Sequence, residues 1–134
     1  MSEADVLSIS YFVHEYLHNK QTILIDITDF FSLDISEGLT EIIAQRYTNS
    51  FLKAFCGNNI KYKKVKNSPI YRDVVNIMKP LLDRFKNEKL YDDIENMLYE
   101  INHNKIDKEF AKLMRNYSIG LSLYTMQELR KNLN

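Results

Sequence analysis

Lys79–Ile101 reads K-P-L-L-D-R-F-K-N-E-K-L-Y-D-D-I-E-N-M-L-Y-E-I, and Asp107–Tyr117 reads D-K-E-F-A-K-L-M-R-N-Y. In the first stretch Ile94, Met97, Leu98 and Ile101 recur at three- and four-residue steps, and in the second Phe110, Leu113, Met114 and Tyr117 do the same. That period places each set on one face of a helix. Asp92, Asp93 and Glu95 read as carboxylates in the first turn of a helix that follows Leu90-Tyr91, where exposed amides and the helix dipole favour them. Asp107 reads as the cap of the next helix. Pro80 interrupts a stripe of Tyr71, Val74, Val75, Met78, Leu82 and Phe85, so a kink or restart is expected there.

Working outward, the same period dominates. Val6, Ile9, Phe12, Val13, Tyr16 and Leu17 give an amphipathic helix capped by Ser2 and ending near His18-Asn19. Thr22–Phe31 alternates like a strand at Ile23, Ile25 and Ile27 but also fits one helix face; a short helix is the reading adopted. A helix following Ser36 would bury Leu39, Ile42, Ile43, Tyr47, Phe51 and Phe55 and stop at Gly57, and Ser68-Pro69 would open the next one. With only three glycines and two prolines, strand-and-turn architectures have little punctuation to work with. The expectation is an all-α, single-domain bundle of about five or six helices over residues 1–134. Phe51, Phe55, Val75, Met78, Leu98 and Phe110 are its expected core.

Eighteen basic and 18 acidic residues cancel, which disfavours a dedicated nucleic-acid binder and favours protein partners. Lys61, Lys63, Lys64 and Lys66, with Tyr62 between them, form the densest run of one sign; a solvated basic loop is its first reading and weak, sequence-independent RNA contact its second. Cys56 is the only cysteine, so no disulfide can form within the chain and an intracellular location is expected. No apolar run reaches the ~18 residues of a membrane span, and the acidic Met1–Asp5 does not resemble a secretory leader.

The motif H-E-x-x-H occurs literally as His14-Glu15-Tyr16-Leu17-His18, the spacing that sets two imidazoles on one side of a helix for a metal. The only other histidine is His103, a carboxylate would have to serve as third ligand and none is evident, and Val13, Tyr16 and Leu17 claim the opposite face for the core. The pair is therefore expected to face solvent without a metal, and no cofactor is expected. Asp92 and Asp93 are neighbours pointing ~100° apart and cannot share a proton as an acid-base pair. Cys56 reads as a small buried hydrophobe and not a nucleophile.

Pro80-Leu81, Leu90, Asp92-Asp93-Ile94, Leu98, Glu100, Glu109-Phe110 and Tyr117 follow a succession that resembles the C-terminal helical domain of the pre-mRNA-splicing factor 18 family. Ile119-Gly120-Leu121-Ser122 is similar to the close of that family's loop, whose earlier residues, tryptophan included, are not found here. The resemblance implies a non-catalytic accessory of the second splicing step, nuclear, that docks on another second-step factor and the U5 small nuclear ribonucleoprotein. It implies a partner-binding surface at Ile119, Gly120, Leu121 and Tyr124. The alternative reading is a stand-alone regulator, viral or parasite, with a Bcl-2-like bundle that takes a partner's helix in an apolar groove. A small zinc hydrolase built on His14, Glu15 and His18 is the third.

Overall fold

The computed structural model describes residues 2–21, 30–56, 72–85, 87–101 and 103–117. They are all-α: α1 (Glu3–Asn19), α2 (Phe30–Cys56), α3 (Arg72–Phe85), α4 (Glu88–Glu100), a short 3-10 turn at His103–Lys105, and α5 (Ile106–Asn116). There is no strand among the described residues. No described helix is long and apolar enough to cross a membrane.

α1 begins where its cap dictates. Ser2 Oγ accepts from the Asp5 amide at 3.2 Å while the Asp5 carboxylate accepts from the Ser2 amide at 2.9 Å, a reciprocal box that satisfies two otherwise orphaned donors. α4 starts at Asn87, whose Oδ1 accepts from the amides of Lys89 and Leu90. This corrects the expected start: Leu90 and Tyr91 are buried helical residues, and Asp92 and Asp93 lie in the second turn. Asp107 is likewise a buried first-turn residue of α5, whose cap position is Lys105. α2 starts at Phe30, so Ser36 sits inside a helix, buried, and caps nothing. Pro80 lies within an unbroken α3. Pro80 and Asn76 are both on the exposed side, where the missing donor is not enclosed in the core.

α2 is the spine, ~40 Å long by its 27 residues, and it touches all four other α-helices. One contiguous core joins Ile35, Leu39, Ile42 and Ile43 of α2 to Leu17 of α1, Val74, Val75, Met78 and Leu82 of α3, Ile94 and Leu98 of α4, and Phe110 and Met114 of α5. Val75, Met78, Leu98 and Phe110 are buried as expected, but Phe51 is 40% and Phe55 75% exposed, and Tyr16 and Tyr47 are half exposed. The described helices cover the other side of α2 near its end, so the aromatic stripe Tyr47-Phe51-Phe55 faces out, with Phe51 and Phe55 stacked on one another. Gly38 lets α2 and α3 approach closely: a Cβ there would lie 2.2 Å from Val74 Cγ1 of α3.

The proposed short helix at 22–31 lies outside the described residues except at its last two positions, which belong to α2. Gly57, Lys61, Lys63, Lys64, Lys66, Ser68-Pro69, Ile119, Gly120, Leu121 and Tyr124 also lie outside them.

Candidate metal centre

The two histidines of the motif do not face solvent. His14 is 4% exposed and His18 partly buried, because the side of α1 that carries them packs on α2. His14 meets Glu41 and His18 meets Glu37, so the contacts run in opposite order along the two helices and α1 lies antiparallel to α2. An i, i+4 pair of imidazoles on one helix thus faces an i, i+4 pair of carboxylates on the other.

Three atoms converge. His14 Nε2 lies 2.9 Å from His18 Nε2 and 3.3 Å from Glu37 Oε2, and His18 Nε2 lies 3.1 Å from the same oxygen. Tetrahedral ligands at zinc bond lengths stand ~3.3 Å apart, so this triangle is close to what such an ion requires. His14, His18 and Glu37 form the one set of three potential ligands among the described residues. The expectation that no third ligand is evident is corrected by Glu37, a potential ligand that approaches the histidines across the α1–α2 interface.

The electrostatics follow from this enclosure. Burial alone would lower the His14 pKa, but hydrogen bonds to Glu37 and Glu41 outweigh it and raise the imidazole to about 9. His18 is moved the same way, burial being overcome chiefly by Glu37. Burial would raise Glu37, yet the two histidines hold its carboxyl down at about 2. Asp34, one turn before Glu37, is pushed up by burial and by the Glu37 charge.

The triangle is not fully sealed from solvent. The side chains of His18 and Glu37 keep 22% and 27% of their exposure, and Glu15, exposed, stands one turn from His18 on the same flank of α1. A second feature lies well round α1 from the histidines: a groove of about 640 Å³ lined by Ile9, Phe12 and Tyr16 of α1, Tyr47 and Phe51 of α2 and Tyr99 of α4. Glu95 accepts from the Tyr47 and Tyr99 hydroxyls along it, and the Lys20 ammonium lies over the Tyr16 ring. Asp92 is exposed, and Asp93 accepts from the Tyr117 hydroxyl, so the two are not a shared-proton pair.

No protein-family model matches the chain, and no curated protein or solved structure matches it either.

Proposed function

We propose that the chain is a metal-dependent hydrolase of the H-E-x-x-H type that cleaves peptide bonds. His14 Nε2, His18 Nε2 and Glu37 Oε2 would hold one divalent ion of the zinc class, and Glu15 would act as general base. The observation that carries this reading is the convergence of those three atoms, 2.9, 3.1 and 3.3 Å apart, from two different helices. Two imidazoles and one carboxylate are a donor set that zinc favours. Structural zinc sites close with four protein ligands, whereas hydrolytic sites use three and leave a position for water or substrate; here three converge, on a flank where His18 and Glu37 stay partly exposed.

An ion held there would supply Lewis acidity, lowering the pKa of a nearby water and polarising a substrate carbonyl. The chain's own part is to place Glu15 beside that flank, where its carboxylate can take a proton from the attacking water and deliver it to the departing amine. The water oxygen ends on the carbonyl carbon as the C–N bond breaks. Quenched fluorescent peptides of mixed sequence, incubated with the zinc-loaded protein, test this. Cleavage that a chelator abolishes and zinc restores supports the reading; a zinc-loaded protein that cleaves none of them opposes it.

A non-catalytic interaction protein is the second reading, and the aromatic groove favours it: an amphipathic helix could lay its apolar face against Phe12, Tyr16 and Phe51. A splicing accessory would be one form of such a protein, resting on 119–124, which lie outside the described residues. A chain of this kind would keep its activity when Glu37 is replaced, since the groove and the histidines occupy different sides of α1.

A further inference from the structure

We infer that Glu41 and Gln21 are the positioning residues of this centre: each fixes one imidazole through its Nδ1, so that both Nε2 atoms face Glu37, and only Glu41 does so with a negative charge. This rests on the metal-centre reading and goes beyond it, assigning work to two residues outside the H-E-x-x-H motif and outside the ligand set.

An imidazole offers two nitrogens, and the partner of one decides which the other can serve. His14 Nδ1 donates to Glu41 Oε2 at 2.8 Å, and both side chains are almost wholly enclosed. The other Glu41 oxygen accepts from Gln45 Nε2 at 3.2 Å, so the carboxylate is held at both ends. On the second histidine, His18 Nδ1 donates to Gln21 Oε1 at 3.0 Å. The direction is fixed because the Gln21 amide nitrogen is spent on Thr40 Oγ at 2.8 Å. Gln21 reaches this place because α1 ends in a tight turn, where its backbone N–H donates to the His18 carbonyl at 3.1 Å. Gln21 and Thr40 are buried, so water does not compete for either bond.

The two imidazoles are therefore held by chemically unequal partners. A carboxylate draws the Nδ1 proton and makes the opposite nitrogen a stronger donor to a metal, whereas a neutral amide orients the ring without that push. His14 is the stronger ligand of the pair.

The test uses the full chain. Glu41→Gln keeps the size of the side chain and an oxygen that can accept from His14 while removing the charge. In competition with a chromophoric chelator it should bind zinc ~10–100-fold more weakly than wild type. In the cobalt-loaded protein it should shift the visible bands, which report the ligand field. Gln21→Glu, which supplies the charge to His18 instead, should shift them too. Wild-type affinity and an unmoved cobalt spectrum in Glu41→Gln would overturn the inference. Should that variant fail to fold, nitrogen-15 NMR of the zinc-loaded wild type still decides: both rings must carry their proton on Nδ1 and bond through Nε2, and coordination through either Nδ1 refutes the assignment. A wild type that takes up no zinc fails the metal-centre reading itself, a result distinct from a wild type and Glu41→Gln that bind equally.

Discussion

His18 Nε2 stands 3.1 Å from Glu37 Oε2, though the two residues are 19 positions apart and sit on different helices. That contact turns a two-histidine motif into a set of three potential metal ligands, and it depends on how α1 and α2 are registered.

The metal-free protein should have a stability window set by these groups. His14 has a folded pKa of about 9 against 6.5, so its contribution is fully present below 6.5 and lost as pH rises through 9. Glu37, at about 2 against 4.5, contributes fully above 4.5 and loses that contribution as pH falls toward 2. Asp34, shifted upward, works in the opposite sense to Glu37 and partly offsets its loss on the acid side. Urea unfolding of chelator-treated protein should be hardest between the ordinary values of Glu37 and His14, pH 4.5 to 6.5. Replacing His14 with Gln should flatten the decline on the alkaline side; a decline as steep as wild type would show that His14 is not its source.

Gly38→Ala should destabilise the bundle by about 1–3 kcal/mol, the usual range for forcing volume into a packed site. The new methyl would sit 2.2 Å from a Val74 methyl unless α3 moves. Because Glu37 is the next residue, the same shift should loosen the ligand triangle. Chemical denaturation measures the first effect and zinc affinity the second.

Leu98→Ala should cost about 2–5 kcal/mol through lost burial and a residual cavity. Leu98 is 1% exposed and belongs to the shared core, away from the ligand set. Zinc affinity measured on the still-folded protein should stay at the wild-type level, which separates core packing from the centre.

Glu15→Gln should abolish peptide cleavage while leaving metal content unchanged, since Glu15 is exposed and is not one of the converging ligands. Parallel zinc analysis and peptide assay check this; retained turnover would remove Glu15 from the role of base.

The all-α architecture could be read from the sequence because three- and four-residue apolar steps run through nearly every described helix, as at Ile94, Met97 and Leu98. The outward face of Phe51 and Phe55 could not. Apolar period shows that a helix has a side, and which neighbour covers that side is a matter of tertiary packing. The His14–His18 pair is visible as a motif, but its buried setting is not, because burial of the pair depends on the carboxylates that receive it. Glu37 is one acid among 18 and carries no mark by itself. A usable signal was Glu41 between Thr40 and Ile42-Ile43 on the buried side of α2, with Glu37 one turn earlier. A carboxylate there needs a partner, and two histidines at matching spacing are the natural one.

Elemental analysis of the purified chain after zinc loading and dialysis tests whether His14, His18 and Glu37 hold a metal. Wild type should hold about one zinc per chain, the stoichiometry of a single three-ligand site, and Glu37→Ala should lose it with the helical circular-dichroism spectrum retained. A wild type that holds no zinc, or a Glu37→Ala variant that holds as much as wild type, would contradict the metal-centre reading.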